Sequence, residues 1–247
     1  DIVNGLLFPV FKNNVFEPAD EKIKQFGFNS KLVSRLVYSP YEAQIDTGEM
    51  MKTLLKYAQF LGIQIINGAD VKEISEGKVQ LWHNFLNEKI TFKADKVIIC
   101  ANAFMNELMP ELNVIPGRGH VIITKPIDDL KFEGIFHYNE GYYYFRNYGN
   151  RVIFGGGRNL DFGAEESFDF SFNETILNDL FDKLYCMILP GVNYEIEDKW
   201  TGIMGFTKNK LPEILEIDKF TIAAISCNGM GIALSSYIAR EITGLLN

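Results

Sequence analysis

Phe220-Thr221-Ile222-Ala223-Ala224-Ile225-Ser226, then Cys227-Asn228-Gly229-Met230-Gly231, then Ile232 to Leu246 is the stretch that sets the architecture of this chain. It reads as a buried strand that breaks at a glycine-bearing turn and continues as an apolar-periodic helix. Glycines let the backbone approach another group closely. The first N–H groups of the helix and the positive end of its dipole point into the mouth of the turn. The segment therefore reads as a cofactor seat, with a plain strand-to-helix turn carrying packing glycines as the competing reading. It is not itself an ADP-binding fingerprint. That pattern needs a third glycine and an acid about 20 residues on, whereas Leu234 takes the third position and no second strand follows.

Just upstream stands Trp200-Thr201-Gly202-Ile203-Met204-Gly205-Phe206-Thr207-Lys208-Asn209-Lys210-Leu211-Pro212. It resembles the W-x-G-x-x-x-x-T-x-D-x-x-P segment of the FAD-dependent oxidoreductases of the D-amino acid oxidase, glycine oxidase and sarcosine oxidase superfamily. There too a strand and a glycine-bearing turn onto the C-terminal helix follow. Other stretches match the same family in order. Asp46-Thr47-Gly48-Glu49-Met50 with Leu61-Gly62-Ile63 and Gly68-Ala69-Asp70-Val71 is similar to D-P-x-x-L…A…G-V…G-x-x-V. Ala94 to Ala103 resembles A-D-x-V-V-x-A-x-G-A, and Pro116-Gly117-Arg118-Gly119-His120-Val121 resembles P-x-R-G-Q-x. Tyr142 to Arg146, continued by Arg151 to Gly156, resembles Y-x-x-P-R-x-x-G-x-x-x-x-G-G.

The resemblance implies an α/β (α+β) fold, with a partial FAD-binding domain over 1–108 and 206–247 and an inserted antiparallel-sheet substrate domain over 109–205. It implies FAD as cofactor and an amine or amino-acid-like substrate, oxidised at its C–N bond by hydride transfer to the flavin. Cys227, Asn228, Gly229, Met230, Gly231 and Ile232 would meet the flavin, and Val71 and Ala101 the adenosine half. Some relatives tether flavin through a cysteine of a different segment, so no covalent link is expected at Cys227. In glycine oxidase-like members the residue four after the tryptophan is an arginine that grips the substrate carboxylate; here it is Met204, which favours a larger or less acidic amine. The family begins with a strand and Gly-x-Gly-x-x-Gly, and no such motif occurs in the first forty residues. The chain is thus expected to be the C-terminal portion of a longer flavoprotein. A non-catalytic fragment or binding module that no longer holds FAD is the alternative.

The residues themselves add candidates. Alternation along Tyr142 to Arg146 sends Tyr142, Tyr144 and Arg146 to one face of a strand, where Arg146 could pair bidentately with a carboxylate. An aromatic strand packed on a core is the other reading. Arg118 and His120 carry the same two readings, and no side chain stands out as a catalytic acid or base. Gly155-Gly156-Gly157-Arg158 lacks the Gly-Lys-Ser/Thr of a phosphate loop and reads as a flexible strand end.

Asp46 and Glu49 offer a capping box for a helix with apolar positions Met50, Leu54, Leu55, Ala58 and Leu61. Ile63–Ile66, 70–74, 79–83 and 89–92 then read as short strands of a meander, leading into a buried strand at 97–100. Longer β segments follow at 120–124, 134–137, 141–146 and 151–155, with Asn147 to Asn150 as hairpin turn. Asn173 to Leu189 reads as a helix stopped by Pro190-Gly191.

The 247 residues, 47% hydrophobic and 23% charged, suit one large or two small globular domains. The net charge of −8, with scattered Lys and Arg, argues against nucleic acid and anionic membranes as partners. No apolar run approaches the 18 or so residues of a membrane span. Cys100, Cys186 and Cys227 are far apart, without metal-ligand spacing, and read as reduced thiols of a cytoplasmic protein. An exposed sheet edge leaves room for a homodimer or a retained N-terminal segment.

Overall fold

The computed structural model describes residues 2–83, 85–225 and 228–246. The chain opens with α1 (Ile2–Phe11), β1 (Glu17–Pro18), α2 (Lys22–Gln25), β2 (Val37–Tyr38) and α3 (Thr47–Phe60). There follow β3 (Asp70–Ser75), β4 (Lys78–His83), β5 (Glu88–Lys93), β6 (Val97–Ile99) and α4 (Met105–Leu108). The middle carries β7 (Ile115–Thr124), β8 (Ile135–Tyr138), β9 (Tyr143–Tyr148), β10 (Arg151–Gly156), α5 (Phe162–Glu165) and α6 (Glu174–Lys183). The last elements are β11 (Ile196–Phe206), β12 (Glu213–Glu216), β13 (Thr221–Ile225) and α7 (Gly231–Leu245).

Two compact units divide these elements. Unit 1 comprises Asp1–Ile45, Gly119–Ala164 and Phe170–Gly202; unit 2 comprises Asp46–Arg118, Glu165–Asp169 and Ile203–Asn247. Residues 1–45, expected with the flavin-binding portion, fall in unit 1, because Ile23 and Phe28 are buried in the core of its sheet. The chain passes between units inside β7 and inside β11, at 118/119 and 202/203 rather than at 108/109 and 205/206.

Unit 1 is built on a five-stranded sheet in the order β11-β7-β10-β9-β8, with β7, β10, β9 and β8 successively antiparallel. The hairpin between β9 and β10 pairs Tyr148 with Arg151. Its two-residue loop puts Gly149 at φ 57°, the first central position where a II′ turn favours glycine. Period-two alternation buries Tyr143 and Phe145 of β9 with Val152 and Phe154 of β10 and Ile122 of β7. Against them lie Ile176, Leu177 and Leu180, the apolar stripe of α6, all fully buried. Asn173 caps that helix, its Oδ1 accepting from Thr175 N at 3.1 Å.

Unit 2 holds two three-stranded sheets. In the order β12-β13-β6, β13 runs parallel to β6 with Thr221 opposite Val97, and β12 is antiparallel. The other is the expected meander β3-β4-β5. Val97, Ile99, Met105, Met109, Val114, Ala223 and Ile225 form the core, with Ile74 and Val79 packed against it. Burial of each such side chain stabilises by about 1.5–3 kcal/mol. Asp46 caps α3, accepting from Glu49 N at 3.0 Å. Ile63–Ile66 forms no strand. Ile63 and Ile66 are more than half exposed, so the apolar alternation there is not matched by a sheet neighbour among the described residues.

Candidate functional site

The glycine turn lies where the sequence places it. β13 enters it with Thr221 to Ala223 and Ile225 buried; Cys227, expected at the cofactor, falls outside the described residues. Asn228 adopts φ 50°, a left-handed conformation that asparagine tolerates through local hydrogen bonding. Its Oδ1 accepts from Thr207 N at 2.9 Å, and its Nδ2 lies 3.2 Å from Thr207 Oγ1. Thr207 Oγ1 in turn donates to the Leu211 carbonyl at 2.8 Å. The Asn228 side chain thus clasps the turn to the loop after β11. Gly229 stands at φ 84°, and a Cβ built on it would meet Met204 Sδ at 3.8 Å, an ordinary contact. Met230, 57% exposed, is the N-cap of α7. It offers no side-chain hydrogen bond, and the first turn holds no acidic residue. Gly231 opens the helix half-buried and Ile232 is exposed.

That arrangement fits a flavin edge. A helix start normally satisfies its first N–H groups with a Ser, Thr, Asp or Asn cap. Here, among the described residues, Met230 supplies no such cap, the glycine is open rather than crowded, and the donors suit an anionic or carbonyl oxygen.

A residue within the Ala94 to Ala103 motif, not singled out from the sequence, braces this region. Asn102, at φ 50°, donates from Nδ2 to the Ile203 carbonyl at 3.1 Å and accepts from Gly205 N at 2.9 Å. A Cβ on Gly205 would come within 3.0 Å of Asn102 Oδ1, Ala103 N and Val114 Cγ1, so glycine is required there. Ile203 to Gly205, Asn102, Thr207 and the Asn228-Gly229 turn are thereby joined by contacts within unit 2. Ala101, half-buried, packs on the same core between β6 and Asn102. Val71 lies half-buried in β3 opposite Leu81, beside a bulge.

Arg118, expected at the substrate, is engaged within the protein. Its Nε and Nη2 donate to Glu165 Oε2 and Oε1 at 3.0 and 2.9 Å, and its Nη1 donates to the Asp169 carbonyl at 3.2 Å. Both side chains are buried, Glu165 fully. A fork engaged on both carboxylate oxygens holds structure. Glu165 gave no signal in the sequence.

In unit 1 Tyr144 and Arg146 of β9 lie on the face opposite the core, whereas Tyr142, expected with them, precedes the strand and packs against the core. The Tyr144 hydroxyl lies over Gly155, 2.7 Å from where a Cβ would stand. Burial raises its phenol pKa, although 40% of the whole residue is exposed. Arg146 sits opposite Ile153 and Ile135, its guanidinium 5.7 Å from the Tyr148 ring centre. A second arginine was read only as part of a strand end. Arg158 lies 5.3 Å over the Phe162 ring, which meets Tyr142 edge-on at 5.7 Å.

A family model described as "DAO: FAD dependent oxidoreductase" matches residues 13–245. The chain belongs to this family of FAD-dependent oxidoreductases. Its fold is similar to glycine oxidase from Geobacillus kaustophilus, at TM-score 0.76 and 17% identity, covering 97% of this chain and 64% of that one. It is also similar to L-proline dehydrogenase from P. horikoshii, at TM-score 0.72 and 18% identity, covering 89% and 61%. A curated relative, the bifunctional protein ThiO/ThiG of Synechocystis sp., is 28% identical over 88 residues, 36% of this chain and 13% of its own length. The chain thus spans somewhat under two thirds of those two solved structures.

Proposed function

We propose that this chain carries the flavin-edge seat and the substrate-facing sheet of an oxidoreductase acting on the C–N bond of an amine. One observation carries the reading: α7 begins without a side-chain cap, behind an open left-handed glycine, in a chain of an FAD-dependent family. Asn228 to Ile232 would hold the flavin edge, with Val71 and Ala101 toward the adenosine half. When bound, FAD supplies the hydride acceptor. The N–H groups at the start of α7 would favour negative charge on the ring edge they face, by up to about 2 kcal/mol when partly buried. Arg146 and Tyr144, on the outward face of β9, would bind the polar end of the substrate, while Arg118 serves by holding Glu165. Met204, apolar and beside the turn, gives a carboxylate no partner and so favours a larger or less acidic amine than glycine.

Titration of the purified protein with FAD tests this, read as quenching of flavin fluorescence and as thermal shift. Saturable uptake is expected. Met230→Asp should weaken FAD binding at least about tenfold by placing a carboxylate in the seat. A protein that takes up no FAD would leave the reading of a folded module without a cofactor.

A further inference from the structure

Unit 1 encloses a cavity of about 640 Å³ between the 16–44 segment and β8, the edge strand of its sheet. Small-molecule sites occupy roughly 300–1,000 Å³ and combine apolar walls with a few convergent polar groups. Its lining includes the aromatic rings of Phe26, Phe28, Phe136 and Phe145 with Met187 and Ile188, together with charged Lys22 and Glu133. Phe26 meets Phe136 edge-on at 80°, and Phe28 meets Phe145 at 83°, the geometry in which one ring offers its edge to another's face.

Two polar atoms of lining residues are buried and have no hydrogen-bond partner among the described residues: Gln44 Oε1 and the Tyr138 hydroxyl. Buried polar atoms are normally satisfied, and leaving one unpaired is costly. The orientation of Gln44 is fixed by its neighbour. Asn147 donates from Nδ2 to the Gly149 carbonyl at 3.2 Å and accepts on Oδ1 from Gly134 N at 2.9 Å. Gln44 must therefore present Nε2 to Asn147 Oδ1, at 2.9 Å, which turns Oε1 away as an acceptor in need of a donor. Both unpaired groups are uncharged. At the rim, Arg35 pairs with Asp20 at 3.1 Å and His137 with Glu42 at 3.0 Å.

We propose that this cavity binds a small neutral aromatic molecule bearing an N–H or O–H donor, with its ring among the phenylalanines and its donor on Gln44 Oε1. The site lies wholly within unit 1 and uses none of the residues assigned to the flavin or its substrate.

Indole is the probe, with 1-methylindole as its partner lacking the donor, measured on the purified chain by calorimetry and ligand-observed NMR with and without added FAD. Indole should bind saturably, one per chain. 1-Methylindole should bind roughly threefold to tenfold more weakly, the range one neutral hydrogen bond spans. Gln44→Met keeps the side-chain length without the acceptor and should erase that difference. Val33→Trp should fill the cavity and remove binding; if that variant does not fold, the Gln44→Met comparison alone decides. No saturable indole binding, equal affinity for the two probes in the unaltered chain, or displacement of indole by FAD would each overturn the proposal.

Discussion

Two glycine-bearing segments in this molecule share a sequence grammar and differ in what their glycines are for. Gly155-Gly156-Gly157 ends β10 and leads to Arg158; Gly229-Met230-Gly231 follows β13 and opens α7. At the first, a Cβ on Gly156 would stand 2.0 Å from the Tyr142 carbonyl oxygen and 2.7 Å from Tyr143 Cα, at φ 125°. At the second, a Cβ on Gly229 would find only Met204 Sδ among the described residues, 3.8 Å away. Crowding by the protein's own backbone explains the first glycine completely. The second has a left-handed backbone and, among the described residues, no crowding, which is the condition our proposed flavin seat requires. A glycine count cannot separate packing from binding; the surroundings can.

The largest test of that contrast is Gly156→Ala. Backbone overlap together with a disfavoured φ should cost about 3–5 kcal/mol, read in denaturant melts as a loss of unit 1. Gly205→Ala comes next, at about 1–3 kcal/mol, because Val114 and the Asn102 turn must yield. Gly229→Ala should cost only about 1–2 kcal/mol for the left-handed backbone, yet reduce FAD affinity more than Gly205→Ala does. Equal stability losses at 156 and 229 would erase the distinction.

The smallest effect is a pH dependence confined to the crowded side. Burial, then a hydrogen bond to Asp179, raises the phenol pKa of Tyr143, whose backbone lies against Gly156; burial likewise raises that of Tyr138. A raised folded-state pKa stabilises fully below the unfolded value near 10, and that stability is lost as pH rises through the folded value. Melts between about pH 9 and 11 should therefore show falling stability, and Tyr143→Phe should flatten the slope.

Much of this was legible in the sequence because it depends on near neighbours. The Asp46 cap, the meander, the β9–β10 hairpin and the β13-to-α7 turn each lie within a few residues of their signals, and each formed. The division of the chain was less legible. Residues 1–45 join the sheet unit through Ile23 and Phe28, and the ring partners of Phe28, namely Phe132, Phe136 and Phe145, are about a hundred residues away. Ile63–Ile66 alternates like a strand, but alternation cannot supply a neighbour. The internal partner of Arg118 was not legible, because Glu165 is 47 residues distant in a stretch with no motif. Asn102 escaped notice for the same reason, its hydrogen bonds closing onto residues about a hundred positions later.

The Arg118–Glu165 pair also constrains the order of assembly. Glu165–Asp169 is a five-residue piece of unit 2 held between two long segments of unit 1. Its ion pair closes a loop containing most of β7 and all of β8, β9 and β10, and such closure grows in entropic cost with length unless the intervening chain is already compact. We expect those strands to pair before the guanidinium meets its carboxylate. On that expectation the Glu165 to Asp169 piece of unit 2 settles last, and a chain caught early in refolding should protect the amides of β9 and β10 from hydrogen exchange before those of Glu165 to Asp169.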